Sequence, residues 1–350
     1  MLSVSDYRQS GRNILVDDTL YLGWSGSFIE FRTESRTCSM DLLTDPSIPS
    51  EIELARIAIY VDNLTEPVRI VTLRTPYVHI TVPVSDGFHE KTVRIMRLTE
   101  AAFGLSGIRN LQIDEGASVH PTSPKKHHIE FIGDSITCGY GIEALSPATF
   151  TTGTENPVSA YAILTADALD ADFSLVAWSG IGLISSWVEA SVEKPNQLLL
   201  MSRLYPYHQL RLSERLKIPA APHDFASDPA DLVVINLGTN DASWTRGISE
   251  RESLFAASYA SFLGQVHASR PKTPILSVLG TMEQSLCATI EHEVHSFQEQ
   301  HPDVSVHFLQ LPLQKPEDGL GADGHPTPAT QRKAADHLIT CIQELQLWCS

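Results

Sequence analysis

The chain has 350 residues, long enough for two domains of the usual size, roughly 100–200 residues each. With 42% hydrophobic and 19% charged residues it is folded rather than disordered. Lys and Arg total 25 against 42 Asp and Glu, and the net charge of −17 would repel a phosphate backbone or an anionic membrane surface, so no nucleic acid and no membrane partner is expected. No stretch approaches the ~18–20 apolar residues of a membrane-spanning helix. The opening MLSVSDYRQSGRN has neither a basic nor an apolar signal region, so a cytoplasmic location is expected, or a secreted one if a signal was trimmed. The five cysteines (Cys38, Cys138, Cys287, Cys341 and Cys349) form no C-x-x-C pair and read as reduced structural thiols.

Up to about residue 115, short β-branched and aromatic runs alternate with turn residues: FIEFRT, CSMDLL, ARIAIYV, VRIVTL, YVHITVPV, KTVRIMRL and LQID. This spacing predicts an antiparallel β-sandwich or jelly roll over residues 1–120. Alternation within ARIAIYV and KTVRIMRL predicts strands with one face in a core and the other in water. Gly, Pro, Ser and Lys then collect without periodicity, and residues 121–128 are expected to be a linker.

From residue 129 to 350 the rhythm changes to apolar runs separated by helical patterns. IEFIG, FSLVAW, DLVVINLG, PILSVLG and VSVHFL read as parallel strands covered on both faces. Helices are predicted over 158–169, 248–268, 285–300 and 329–345, the first and last announced by Asn156-Pro157 and Thr327-Pro328. The fold class is therefore α/β: a β-sandwich followed by a doubly wound parallel sheet, with a long excursion from Trp187 to Pro229.

Four loop motifs each follow a strand or precede a capped helix. Gly133-Asp134-Ser135 follows IEFI, where an open α/β sheet places its ligands, and the Ser135 amide can face a developing negative charge. Ser179-Gly180 follows FSLVAW and offers a glycine amide. Asn240, in Gly238-Thr239-Asn240-Asp241, offers a side-chain amide. Asp323-Gly324-His325-Pro326 precedes the last helix, and a histidine there could reach a serine on the first strand. Each motif alone reads equally as a turn.

In the order Ser, Gly, Asn, His, the four blocks resemble the signature of the SGNH (GDSL-type) hydrolase superfamily. LYLGWSGSFIEFR, FHEKTVRIMRLTEAAFGLSGI and RLYPYHQ extend the likeness to carbohydrate esterase family 2, which joins a β-sandwich to an SGNH domain and removes acetyl groups from polysaccharides such as xylan. The resemblance implies Ser135 as nucleophile and His325 as general base. It implies the Ser135 amide, Gly180 and Asn240 as the oxyanion hole, acting on an acetylated carbohydrate with no cofactor. Asp323 stands two residues before His325 rather than the commoner three. In an extended segment its carboxylate can reach His325 Nδ1 and complete a triad; a backbone carbonyl is the alternative.

Asp134 and Asp241 are expected to brace their loops. Trp178, Trp187 and Trp244 are candidates for a sugar or acyl pocket as much as for core. His127-His128 lack ligand partners, so no metal is proposed. The rival readings are a short-chain acyl esterase, thioesterase or lysophospholipase on a non-carbohydrate substrate, and a carbohydrate-binding protein with an inactive hydrolase domain.

Overall fold

The structure, a computed structural model, describes residues 2–46 and 50–348; Cys349 lies outside the described residues. Two antiparallel sheets form the N-terminal part. One runs Arg8–Ser10, Phe28–Thr33, Lys91–Arg97, Arg56–Val61, Arg69–Thr72, with Val119–Pro121 also paired to Phe28–Thr33. The other runs Ile14–Val16, Thr19–Tyr21, Gly107–Ile113, Thr37–Leu43, Tyr77–Pro83. Phe31, Ile57, Ile59 and Ile95 from the first face Met40, Leu42, Ile80 and Ile108 from the second in one apolar core. The segments Arg8–Ser10, Ile14–Val16, Thr19–Tyr21 and Val119–Pro121 were not foreseen as strands; each has three residues, too few to show a period of two.

The expectation of a wetted face on ARIAIYV and KTVRIMRL is corrected. Phe28, Ala58, Tyr60 and Met96, on the opposite face from Ile57, Ile59 and Ile95, are buried in a second core with Ile163, Phe173 and Leu175 of the α/β part. The Phe28 and Phe173 rings lie 5.7 Å apart. The second face carries Arg56 and Arg94 beside its apolar residues and is covered by the neighbouring unit rather than by solvent. Ion pairs cross the same boundary: Arg12 to Glu130 at 3.1 Å, fully buried, and Arg8 to Asp172 at 2.8 Å, partly buried.

The α/β part is a five-stranded parallel sheet in the order Ala171–Ala177, His127–Gly133, Leu232–Asn236, Ile275–Thr281, Val306–Leu313. The first strand in sequence is thus second in the sheet, and the connections leave it in both directions. That reversal opens a crevice at the carboxyl ends of the strands. Helix Ser249–Ser269 buries Phe255, Tyr259, Phe262, Leu263 and Val266, an i, i+4, i+7, i+8, i+11 stripe. Helix Pro328–Leu345 buries Ala334, Ala335, Leu338 and Ile342. The excursion docks through Met201, Leu204 and Tyr205, all buried. Among the described residues no helix is long and apolar enough to cross a membrane, and the four described cysteines are free thiols.

Candidate active site

Ser135 opens a single helical turn, Ser135–Cys138, directly beyond the first parallel strand. Asp134 caps that turn by accepting the Ile136 N–H at 3.0 Å, and Gly139 closes it at φ +72°. A side chain at position 133 is excluded, because a Cβ there would lie 2.0 Å from Thr137 Oγ1. This tight strand-to-helix turn leaves the Ser135 hydroxyl facing the crevice.

His325 comes from beyond the fifth strand and brings Nε2 to 2.9 Å from Ser135 Oγ. The distance is that of a nucleophile and its base. For Nε2 to accept the serine proton, the neutral ring carries its hydrogen on Nδ1. Burial lowers the His325 pKa below the usual 6.5, and the Ala322 backbone and the Asp323 charge oppose that shift.

The expected contact between Asp323 and His325 Nδ1 is not made. Ala322–Gly324 is a tight turn rather than an extended segment, with Asp323 at φ +50° and Gly324 at φ +75°. The turn swings the Asp323 carboxylate aside. Its Oδ2 accepts the Tyr140 hydroxyl at 3.0 Å and the Phe150 N–H at 3.1 Å. Among the described residues no side chain bonds the buried His325 Nδ1, and the backbone of Ala322 and Asp323 supplies the polar groups that favour its protonation. Tyr140 lies between the two: its ring stacks on Phe150 at 3.7 Å and packs on the His325 ring at 4.3 Å.

Gly180 sits in the loop after the second parallel strand at φ +76°, a conformation that suits glycine. Among the described residues, neither the Gly180 nor the Ser135 amide donates to a protein backbone acceptor. Asn240 lies on the turn of helix Thr239–Thr245 beyond the third strand. Its Nδ2 donates to Ile181 O at 2.8 Å and, at a longer 3.2 Å, to Asp134 Oδ2. Ser135, Gly180, Asn240, Asp323 and His325 line one cavity of about 650 Å³, with Tyr140, Trp187 and Glu283 on its walls. A hydroxyl beside a base and facing free amides can attack a carbonyl carbon and hold the resulting oxyanion.

The two flanking aspartates brace the site. Asp241 Oδ1 accepts the N–H groups of Leu183 at 2.9 Å, Ile184 at 2.7 Å and Ser185 at 3.1 Å, tying the loop after Gly180 to the Asn240 helix. Burial pushes Asp134 up to about 7 and Asp241 up to about 6, against the amides that bond them. Of the three tryptophans, Trp187 lines the cavity and is 54% exposed. Trp244 is buried and donates to Glu193 O, and Trp178 packs against the core, with Arg211 over its ring. His128 bonds Pro229 O and Ser174, and His127 stacks on Trp348. Sequence reasoning missed Tyr140 and Phe150, which lie in a loop without periodicity.

A profile of the GDSL-like lipase/acylhydrolase family matches residues 131–333. The chain belongs to that family. Within it, the likeness to family 2 carbohydrate esterases extends over nearly the whole chain. The cellulase/esterase CelE of Acetivibrio thermocellus is 32% identical over 330 residues, which are 93% of this chain and 38% of that protein. An acetylxylan esterase/glucomannan deacetylase of Cellvibrio japonicus is 31% identical over 264 residues, 72% of this chain and 69% of that one. The chain thus spans well under half the length of CelE. Among solved structures, a family two carbohydrate esterase from Clostridium thermocellum in complex with cellohexaose superposes with a TM-score of 0.83 at 26% identity, covering 98% of this chain and 100% of that one. The acetyl xylan esterase Est2A of Butyrivibrio proteoclasticus shares the fold, with a TM-score of 0.86 at 22% identity over 99% and 98% of the two chains.

Proposed function

We propose that the protein is a serine esterase that removes O-acetyl groups from carbohydrates of the xylan type, through an acyl-enzyme. The observation that carries this reading is the 2.9 Å approach of His325 Nε2 to Ser135 Oγ in the cavity that Gly180 and Asn240 also line. Relatives named as acetylxylan esterases and glucomannan deacetylase support the substrate class.

His325 takes the Ser135 proton as Oγ bonds the acetyl carbonyl carbon. The oxyanion so formed is held by the Ser135 amide, the Gly180 amide and Asn240 Nδ2, whose weaker bond to Asp134 is the one given up. Collapse breaks the bond to the sugar oxygen, which leaves with the proton from His325, and Ser135 remains acetylated. Water, deprotonated by His325, then releases acetate. Asp323 acts on His325 by its charge and by holding Tyr140 against the ring. Trp187 offers a flat apolar face for a sugar. No step calls for a cofactor.

In this reading the sandwich unit and the hydrolase unit meet within the expected linker of 121–128, where Pro121 still pairs in the sandwich and His127 and His128 already pair with Ala171 and Asp172 in the parallel sheet. The experiment is product analysis after incubation with an aryl acetate and an aryl octanoate and with acetylated xylo- and manno-oligosaccharides. Acetate release from the sugars is expected; a preference for octanoyl esters would select the lipase-like rival, and inactivity on every ester would select a binding protein.

A further inference from the structure

Two buried glutamates stand behind the cavity and take no part in the chemistry above. Glu100 follows the sandwich strand Lys91–Arg97, and Glu155 precedes helix Tyr161–Ala168; both are 0% exposed. One carboxylate oxygen from each and Cys138 Sγ, on the turn that Ser135 opens, lie within 4.8 Å of one another. Glu155 Oε1 accepts the Glu100 N–H at 3.3 Å, and Glu100 Oε2 accepts the Ser179 N–H at 2.7 Å. Among the described residues Glu100 Oε1 and Glu155 Oε2 have no hydrogen-bond partner.

The amide that Glu100 holds belongs to a turn with a particular task. Ile181 N–H donates to Trp178 O at 3.2 Å, so Ser179 and Gly180 are the two central residues of a four-residue turn, with the left-handed φ of +76° at the second. That is the pattern of a type II turn. The peptide unit between Ser179 and Gly180 carries the Gly180 N–H, and its tilt depends on how Ser179 is held.

We propose that Glu100 is a positioning residue for the oxyanion hole: reaching over from the sandwich, its carboxylate fixes Ser179 and thereby aims the Gly180 amide. The inference rests on the esterase reading and adds to it a contribution from the N-terminal unit. Glu100 is itself held rigidly. Arg97, also buried, donates to the carbonyls of Leu22, Thr99, Glu100, Phe103 and Gly104, which fixes the backbone from which the carboxylate projects. A charged acceptor makes a shorter and stronger bond to an amide than a neutral one. Burial pushes Glu100 up to about 7 and Glu155 well above its ordinary value, so Glu155 is the one that keeps its proton while Glu100 is left to accept the Ser179 N–H.

The test compares Glu100→Met, which fills the volume without an oxygen acceptor, with Glu100→Gln, which keeps one. On an aryl acetate, Glu100→Met should lower kcat by ~10²–10³, the effect of losing one oxyanion donor. Its KM should change less than about threefold, and Glu100→Gln should retain most of the wild-type kcat. Amide hydrogen exchange supplies a readout that needs no turnover. The Ser179 amide should be protected in the wild type and in Glu100→Gln, and should exchange at least ~10-fold faster in folded Glu100→Met. A folded Glu100→Met with near wild-type kcat overturns the proposal, as does a loss carried by KM, or a Glu100→Gln as impaired as Glu100→Met. Should Glu100→Met fail to fold, an unprotected Ser179 amide in the wild type still overturns it, and a protected one in both wild type and Glu100→Gln upholds it. A wild type inert toward every acetyl ester sinks the esterase reading instead, and the exchange measurement then still decides whether Glu100 holds the turn.

Discussion

His325 presents Nε2 to Ser135 Oγ at 2.9 Å while, among the described residues, no carboxylate bonds its Nδ1 and the backbone of Ala322 and Asp323 is what favours the protonated ring, an arrangement that in the esterase reading is a dyad. In a serine–histidine–aspartate triad a carboxylate fixes the tautomer through Nδ1. Here the backbone of Ala322 and Asp323 and the packing of Tyr140 take that place, and the nearest carboxylate acts at one remove.

Ser135→Ala should abolish hydrolysis of an aryl acetate, because no other hydroxyl stands in hydrogen-bond contact with His325 among the described residues. His325→Ala should do the same, and the double variant should lose little more, since the pair acts as a unit. Melting temperatures should stay close to wild type, because neither side chain fills an apolar core. More than about a tenth of wild-type activity in Ser135→Ala would remove it from the mechanism.

The second expectation concerns pH. A histidine acting as base works when neutral, and burial holds the His325 pKa below 6.5, so kcat/KM should rise with pH through an apparent pKa below 6.5 and then level off. Asp323 opposes that depression by its charge. Asp323→Asn keeps an oxygen for the Tyr140 hydroxyl and the Phe150 amide but removes the charge, so the acid limb should move to lower pH. With no bond to Nδ1 to lose, kcat/KM on the plateau should fall less than ~10-fold, under about 1.4 kcal/mol of transition-state stabilisation. A loss nearer the ~10⁴ known for triads would show that the carboxylate engages the ring directly, and a limb moving to higher pH would contradict the electrostatic role of Asp323.

What could be read from the chain follows from where the signals are local. Ala171–Ala177, Leu232–Asn236 and Ile275–Thr281 are buried along their whole length, while Val306–Leu313 at the sheet edge is only partly covered, and Ser135, Gly180 and Asn240 each lie just beyond a parallel strand, so motif and strand end coincide in the sequence. The Asp323 contact was misjudged because it depends on φ at two adjacent residues, which residue spacing does not encode. The second buried face of the sandwich sheet was misjudged for a different reason. Ala58, Tyr60 and Met96 can be buried like Ile57 and Ile59, but what covers them, Ile163, Phe173 and Leu175, lies far along the chain in the other unit. Glu100 is a longer-range case still: nothing near TEAAFG in sequence announces that its carboxylate ends on the Ser179 amide.

A third expectation follows from the buried carboxyls. Glu100 is raised from 4.5 to about 7, so between those values the folded chain holds a proton that the unfolded chain releases, and stability falls as pH rises through the interval. The contribution is unfavourable above pH 7 and absent below 4.5. Histidines lowered by burial, such as His325 and His223, act with the opposite sign, so the comparison must be made between variants. Glu100→Gln removes one proton from the balance. Its urea-unfolding free energy should therefore fall less than that of wild type between pH 5 and pH 8, and parallel curves would contradict the buried titration.

The last expectation separates sugar recognition from ester chemistry. Trp187 is 54% exposed, lines the cavity, and donates its backbone N–H to Gly180 O at 2.8 Å, so its ring is anchored beside the oxyanion turn while its face stays open. A ring stacked on a second flat apolar face contributes roughly 0.5–1.5 kcal/mol beyond the area it covers. Trp187→Ala should therefore raise KM for an acetylated oligosaccharide by roughly 2- to 10-fold, with kcat little changed, if the ring binds sugar equally in ground and transition states. A small alkyl acetate has no ring to stack, and its kcat/KM should stay close to wild type. The backbone bond to Gly180 survives the substitution, so the oxyanion turn is not disturbed. Equal losses on both substrates would mean that Trp187 shapes the acetyl site itself, and no loss on either would place the sugar elsewhere along the cavity.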